Sequence, residues 1–121
     1  EIDEIRRFDV GIMPLRMDQE WDKYKCGLKL LQYMAVGLPA VASPVGVNAE
    51  IVAHGENGYL AADADQWYAA LQPLIEDASL RRRVGAAARL RVEQDYSVQT
   101  WLPRIVQHLQ ACLGEKRPRT P

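Results

Sequence analysis

The sequence predicts an α/β domain with a short parallel sheet, and three observations support this. Three short apolar runs, at residues 9–14, 40–43 and 58–61, have the length and composition of buried strands. Stretches with helical periodicity follow them, and turns rich in Gly, Pro and Asn separate the segments. Strand–helix–strand order implies right-handed crossovers and therefore a parallel sheet. A sheet of three strands is thin, which suggests that neighbouring strands lie upstream in a longer protein.

The first part of the chain is expected to place a loop and a helix beside the sheet. Residues 1–8 look like the end of a surface helix or a linker, and Pro14 closes the first strand. Residues 15–25 are polar and aperiodic, which predicts a loop at the carboxyl edge of the sheet. A helix is predicted from about Gly27 to Val36, ended by Gly37 in a left-handed conformation. Its expected apolar face consists of Leu28, Leu30, Leu31, Met34 and Ala35.

The second and third strands are expected to flank a short helix. Residues 40–43, AVAS, have little polar content, so this strand is predicted to be covered on both faces. Pro44 to Gly46 predicts a turn, and Asn48 is a candidate cap for the short helix. The cluster HGENG at residues 54–58 predicts the turn before the last strand.

Three longer helices are predicted after the last strand. Asp63 with Gln66 resembles a capping box for the first, Ser79 starts the second, and Ser97 caps the third. The expected apolar faces contain Trp67, Leu71, Leu74 and Ile75 in the first, Leu80, Val84, Ala87 and Ala88 in the second, and Trp101, Leu102, Ile105, Val106 and Leu109 in the third. The run Arg81–Arg83 predicts a solvated helix face, with a membrane surface or an acidic partner as the alternative. Residues 1–113 are therefore predicted to form one domain, and residues 114–121 a disordered tail.

Composition is that of an ordinary globular domain, with 48% hydrophobic and 26% charged residues. A net charge of −1 gives no overall field that would favour nucleic acid. Cys26 and Cys112 lack the spacing of a metal site or a redox motif, so we expect reduced thiols in a cytoplasmic protein and no metal. No run approaches the roughly 18 apolar residues of a membrane span. Because the chain begins with Glu1, we expect it to be the C-terminal part of a longer protein.

The start of the helix at Gly27 is the first candidate binding site. Backbone N–H groups in the first turn of a helix are unpaired and carry about half a positive charge. Gly27 leaves that approach free of a side chain, and Lys25 adds a charge close by. Lys29 opposes the helix dipole, which favours an anionic ligand here. A second interpretation, a Gly needed only for close packing, stays open at this point.

Five segments carry a resemblance to a known family. In chain order they are KCGLKLLQYM, the turn MAVGLP, the strand VAS with its Gly turn and Glu50, GENGYL, and DASLRRRVGAAAR. From about Asp9 to Leu109 the chain resembles the C-terminal domain of the group 1 (family 4) retaining glycosyltransferases. The resemblance implies a GT-B enzyme of two Rossmann-like domains, of which this chain is the donor-binding half. Such enzymes transfer a sugar from a nucleotide-sugar donor to an acceptor.

The resemblance also implies which residues contact the donor. The family's first helix usually opens with a Glu that contacts the sugar and carries a second Glu that binds the ribose. Tyr24 and Gln32 occupy those two positions here, so both carboxylates are replaced by neutral groups that still form hydrogen bonds. Asp18, Glu20 and Asp22 lie nearby as substitute carboxylates. The implied donor contacts are Tyr24, Lys25, Cys26, Gly27, Leu28, Gln32, Val45, Gly46, Val47 and Glu50. Each of three residues also has an alternative to donor contact. In that alternative Gly46 and Val47 form only a turn, and Glu50 makes only an electrostatic interaction with the end of its own helix.

Other parts of such an enzyme are expected outside this chain. In the family, catalysis rests on electrostatics around the leaving diphosphate, and the basic residues that provide it lie upstream. We therefore assign no catalytic residue, expect the chain alone to be inactive, and expect a missing N-terminal acceptor domain as partner. The nucleoside diphosphate sugar is the implied co-substrate, without a further cofactor. Peripheral membrane contact is an open prospect for the full-length protein.

Two other functions are weighed against this one. Nucleotide-sugar epimerases share the double-domain architecture, but the NG turn and the LRRRVG helix follow the transferase pattern. A non-catalytic α/β interaction module, such as a flavodoxin-like receiver, needs an Asp at one strand end and a Lys at another. No predicted strand here ends in that Asp. A gain in thermal stability from nucleoside diphosphates would favour a donor domain over such a module.

Overall fold

A parallel sheet of three strands lies at the centre of the computed structural model, which describes residues 1–114. The strands are β1 (Gly11–Met13), β2 (Ala40–Ala42) and β3 (Tyr59–Leu60), in the spatial order β1–β2–β3. Gly11 lies opposite Ala40, and Val41 lies opposite Tyr59. The predicted α/β fold with a short parallel sheet is confirmed.

Helices connect and cover these strands. They are α1 (Ile2–Ile5), a 3-10 helix (Glu20–Tyr24), α2 (Leu28–Ala35), α3 (Asn48–Ile51), α4 (Ala64–Glu76), α5 (Ala78–Asp95) and α6 (Val98–Gly114). The 3-10 helix lies inside the segment that was predicted to be an irregular loop. The predicted disordered tail falls outside the described residues, apart from Gly114, which is the last residue of α6.

Strand β2 is buried on both faces, as its composition predicts. Ala40 and Ala42 face a core that contains Leu30 and Met34 of α2, together with residues of α3 and α5. Val41 points to the opposite face, against Ala70 and Leu74 of α4. Side chains in a strand alternate between faces, so one helical layer covers each side of the sheet. The result is a three-layer α/β domain.

The apolar faces of α2 and α4 are rotated from the predicted ones. In α2 the buried residues are Leu30, Tyr33 and Met34, whereas Leu28 is 59% exposed. In α4 the predicted core residue Ile75 is 69% exposed. In both helices the apolar face is wider than the part that packs against the sheet. Residues along one side of that face therefore remain exposed to solvent. Leu28 therefore lies at the carboxyl edge of the sheet rather than in the core.

For the three long helices α4, α5 and α6, two of the three predicted N-caps are confirmed. The Asp63 side chain accepts from the Gln66 N–H group at 2.9 Å, and Ser97 Oγ accepts from the Thr100 N–H group at 3.2 Å, as predicted. Helix α5, however, is capped by Asp77 and not by Ser79. Asp77 accepts from two successive backbone N–H groups, because its carboxylate is a stronger acceptor at a helix start than a hydroxyl group.

Arginines of α5 bind the C-terminal ends of three neighbouring helices. Arg81 donates to carbonyl oxygens near the end of α4 at 2.7 and 3.0 Å. Arg89 donates to the last residue of α2, and Arg91 to the backbone of α3, both at 3.2 Å. Cations at helix C-termini satisfy free carbonyl groups and oppose the negative end of the dipole. The basic run is thus not merely a solvated face, although Arg82 and Arg83 are exposed.

Helix α6 leaves its apolar side in solvent within the described residues. The predicted stripe exists, but all of its members are at least 42% exposed. They are Trp101, Leu102, Ile105, Val106 and Leu109. Among residues 1–114, no helix combines the length and the apolar character that crossing a membrane requires.

Candidate functional site

The start of α2 is an uncapped helix N-terminus at the carboxyl edge of the sheet. Gly27 is its N-cap residue, with φ of +68°, and no side chain caps the helix. Because α2 follows β1 in a parallel sheet, this end lies beside the carboxyl ends of the strands. Helix N–H groups that lack an internal partner therefore face the edge where α/β proteins bind ligands.

Gly27 is also required by packing. A Cβ atom on Gly27 would lie 2.9 Å from Cδ1 of Ile51 and 3.1 Å from Cγ2 of Val47. Close packing against Val47 and α3 therefore requires a glycine at this position. Gly27 itself is buried, whereas Lys25, Cys26, Leu28 and Lys29 around it are exposed. The binding interpretation therefore rests on the first-turn N–H groups of Leu28 and Lys29, which no side chain caps, rather than on an open approach to Gly27.

The structure brings two predicted loops into contact. The first loop is residues 15–25, and the second loop is the turn after β2, residues 44–47. Val45 is buried, and Gly46 turns the chain with φ of +55°. A Cβ atom on Gly46 would collide with the carbonyl oxygen of Lys23 in the 3-10 helix. Val47 is half-buried against Gly27. The backbone after β2 thus rests directly on the backbone that leads into α2.

Asn48 fixes the second loop, but not in the predicted way. Val47 is the N-cap residue of α3, and the Asn48 side chain makes no cap bond. Instead Asn48 is 1% exposed, and its Nδ2 donates to the Ser43 carbonyl oxygen at 3.1 Å. Its Oδ1 has no hydrogen-bond partner within residues 1–114 and points towards Gly27. The capping prediction is wrong because the side chain is drawn inward to the end of β2.

Asp22 organises the first loop. One carboxylate oxygen accepts from the Arg16 N–H group at 2.9 Å, and the other pairs with Lys25 Nζ at 2.8 Å. The hydrogen bond from Lys25, followed by the one from Arg16, lowers the pKa of Asp22. A lowered pKa means that these contacts stabilise the fold at neutral pH and that their effect is lost as pH falls through that pKa. Lys25 is consequently paired rather than free to meet a phosphate.

Sequence reasoning missed this role of Asp22. Asp18, Glu20 and Asp22 were considered only as substitute sugar-binding carboxylates. Glu20 is instead paired with Lys23 at 2.8 Å, and this pair lowers the pKa of Glu20. The spacing of Asp22 and Lys25, three residues apart, was the available signal, since such residues adjoin on a helix.

Tyr24 and Gln32 flank the start of α2. Tyr24 is 75% exposed, and its hydroxyl group lies 3.5 Å from a carboxylate oxygen of Glu20. Gln32 is half-buried and lies one turn after Leu28 on the same side of the helix. Tyr24 precedes the helix start by three residues in the chain and Gln32 lies one turn into α2, so their contact with a donor stays a prediction.

The structure does not bring Glu50 to this place. Asn48 and Ile51 of α3 face Gly27, whereas Glu50 lies on another side of α3. It lines a cavity of about 430 Å³ between α3, the turn before β3 and α5, together with Glu56, Arg91 and Gln94. Glu50 is thus adjacent to α5 rather than to the start of α2.

Cys26, an implied donor contact, is exposed. Cys112 is exposed as well, and both are free thiols. Within residues 1–114, no three His, Cys, Asp or Glu side chains converge in a way that would hold a metal ion. The groups near the start of α2 are backbone N–H groups, the exposed Lys29, the Asp22–Lys25 pair and neutral hydrogen-bonding side chains. Backbone N–H groups at a helix start, together with a lysine, suit an anionic ligand.

A family comparison decides the affiliation of this chain. The sequence model of the family described as glycosyl transferases group 1 matches residues 2–77. The chain belongs to the group 1 glycosyltransferases. The match covers β1, α2, β2, α3 and β3, and hence every element around the start of α2.

Curated group 1 relatives are much longer than this chain. N-acetyl-alpha-D-glucosaminyl L-malate synthase of Bacillus anthracis is 36% identical over 77 residues, which are 62% of this chain and 20% of that protein. Glycogen synthase of Mycobacterium tuberculosis is 30% identical over 118 residues, which are 95% of this chain and 27% of that protein. The chain therefore spans about a fifth to a quarter of the length of these relatives.

Solved structures of group 1 type share the fold. The C-terminal domain of a glycosyl transferase group 1 family protein (LpcC) from Francisella tularensis superposes with a TM-score of 0.65 at 28% identity, over 79% of this chain and 47% of that one. Anabaena Alr3699/HepE, in complex with UDP, gives a TM-score of 0.69 at 21% identity, over 89% of this chain and 29% of that one. The predicted Rossmann-like α/β fold is confirmed.

Proposed function

We propose that this chain is the donor-binding part of a glycosyltransferase that transfers a sugar from a nucleoside diphosphate sugar to an acceptor. The observation that carries the proposal is the uncapped start of α2 at the carboxyl edge of the sheet, inside the region that matches the family. The UDP complex of the Anabaena protein, which has the same fold, supports a nucleoside diphosphate as ligand. Family membership favours a transferase over an epimerase or an interaction module.

The diphosphate is proposed to lie against the N–H groups of Leu28 and Lys29. Each charge-assisted hydrogen bond of this kind contributes about 1.5–3 kcal/mol. Lys29 is exposed in the first turn and adds a positive charge. Because Lys25 is paired with Asp22, Lys29 is the better phosphate ligand of the two.

The remaining donor contacts are neutral. Tyr24 is proposed to contact the sugar, and Gln32 the ribose hydroxyl groups, since each can donate and accept hydrogen bonds. Gly46 and Val47 offer backbone N–H groups from the second loop. Glu50 lies outside this set because it faces α5.

The chemistry is proposed to need the rest of a full-length enzyme. We propose transfer with retention at the anomeric carbon, in which basic residues upstream of this chain neutralise the leaving diphosphate and an N-terminal domain binds the acceptor. No metal or further cofactor is invoked, and the 121-residue chain alone is expected to be inactive. A cytoplasmic location, with peripheral membrane contact of the full-length protein, completes the proposal.

Reversing the charge of Lys29 tests the donor site. UDP, GDP and ADP are each titrated against the chain, and thermal stability and Kd are measured. We expect at least one nucleoside diphosphate to raise the melting temperature, because a ligand that binds only the folded state stabilises it. Lys29→Glu should weaken its binding by about tenfold or more, the equivalent of about 1.4 kcal/mol.

Arg83→Glu is the matched control. Arg83 is exposed on α5 and forms no ion pair or side-chain hydrogen bond within residues 1–114, so the net charge change is the same while the start of α2 and the 3-10 helix are untouched. Its Kd should stay within about twofold of wild type, since exposed charges contribute little at a distance. The proposal fails when no nucleoside diphosphate stabilises the chain, or when both variants bind equally well.

A further inference from the structure

Two buried polar side chains hold the backbone directly after β1. The Leu15 N–H group donates to Oγ of Ser43 at 2.9 Å, and the Arg16 N–H group donates to Oδ2 of Asp22 at 2.9 Å. Ser43 is 3% and Asp22 8% exposed. Two consecutive amide groups of a loop are thus fixed by side chains from different segments, and a buried bond of this kind is costly to leave unmade.

Asp22 connects this backbone to the start of α2. It lies in the 3-10 helix that carries Tyr24 and continues into Gly27. The same helix rests on the second loop through the contact between the Lys23 carbonyl group and Gly46. Through its ion pair, Asp22 also holds Lys25, the residue that follows this helix. One carboxylate therefore ties the end of β1 to the segment that enters α2.

We infer that Asp22 is a positioning residue of the donor site, whose carboxylate folds residues 15–25 so that the uncapped start of α2 stays accessible to a diphosphate. This inference rests on the proposed function. Asp22 makes no contact with the ligand in this role; it acts through Arg16 and Lys25. Electrostatics alone predicts the opposite effect, because a carboxylate close to an anion site repels the anion. The sign of the effect therefore distinguishes positioning from charge.

Replacing Asp22 should weaken nucleotide binding although it removes a negative charge. For Asp22→Ala in the 121-residue chain we expect the Kd for UDP to rise about tenfold, since two contacts of the loop are lost. Asp22→Asn keeps an oxygen for the Arg16 amide but loses the ion pair, so an intermediate rise of about threefold is expected. Hydrogen exchange at the Arg16 amide, measured without ligand, should accelerate in Asp22→Ala and less in Asp22→Asn.

Glu20→Ala is the matched control for charge. It removes the same negative charge from the same 3-10 helix, where Glu20 is exposed and pairs with Lys23 at the same distance of 2.8 Å. Its Kd for UDP should stay within about twofold of wild type or become lower. The inference is overturned when folded Asp22→Ala binds UDP as tightly as wild type, or exchanges its Arg16 amide no faster.

Failure of the proposed function gives a different result. In that case wild type binds none of UDP, GDP and ADP, while the exchange comparison still decides whether Asp22 fixes the loop; should GDP or ADP bind instead of UDP, that nucleotide replaces UDP in the comparison. If Asp22→Ala does not fold, Asp22→Asn is used instead. The inference is contradicted when Asp22→Asn has the same affinity for UDP and the same exchange rate at the Arg16 amide as wild type.

Discussion

Gly85→Ala is expected to destabilise the domain by about 3 kcal/mol, the upper part of the range for overpacking. A Cβ atom on Gly85 of α5 would collide with the carbonyl oxygen of Gly37 and lie 2.9 Å from its carbonyl carbon. Both atoms belong to the backbone of the turn between α2 and β2, so no side chain can move aside. Chemical denaturation, with the slope checked for constancy, measures the effect.

The expected loss of stability is opposite to the usual effect of a Gly→Ala substitution in a helix, so it tests the close contact between α5 and the turn. In a helix interior, replacing Gly with Ala normally stabilises by about 1 kcal/mol. The reverse change at the exposed neighbour, Ala86→Gly, should cost only that propensity difference. A Gly85→Ala variant that is as stable as wild type would show that α5 does not approach the turn closely. Helix α5 would then not pack against α2 and the following turn.

Gly46→Ala should separate the two loops of the candidate site. Gly46 has φ of +55°, and its Cβ would meet the Lys23 carbonyl group. Left-handed backbone costs an Ala about 1–2 kcal/mol, and the collision adds about 2 kcal/mol. We expect unfolding free energy to fall by about 3 kcal/mol, and UDP binding to be lost in the fraction that remains folded.

Gly55→Ala is the control that separates backbone strain from the contact between Gly46 and the Lys23 carbonyl group. Gly55 has φ of +83°, but nothing lies within 4 Å of the Cβ position. This variant should therefore lose only the backbone term of about 1–2 kcal/mol and keep its affinity for UDP. Equal stability losses in the two variants would mean that the 3-10 helix does not rest on the second loop.

The fold was predictable because its signals are local. The apolar run at residues 40–43 has no charged side chain, and such a run between turns is typical of a strand buried on both faces. Two other features follow from local sequence in the same way: Gly37 has the left-handed φ of +78° expected at the end of α2, and Asp63 caps α4. The exposure of Leu28 and Ile75 was not predictable, because periodicity gives the width of an apolar face but not which part of it the neighbouring elements cover.

The candidate site was predictable only in outline. Gly27 as the helix start follows from sequence, and the structure adds that Val47 and Ile51 pack against it. The pairing of Lys25 with Asp22 and the orientation of Glu50 towards α5 depend on how separate segments meet. A single sequence carries little information on such contacts. The roles of Asn48 and Ser43 were missed for the same reason, since their partners belong to the backbone.

The central claim is that the uncapped start of α2 binds the diphosphate of a nucleotide-sugar donor. Titration of the ¹⁵N-labelled chain with UDP, followed by amide chemical shifts, tests it most directly. The account predicts that the largest shifts occur at residues 27–30, with smaller ones at residues 46–47. It would be contradicted by shifts confined to the cavity around Glu50 and Arg91, or by a titration that leaves the amides of residues 27–30 unchanged.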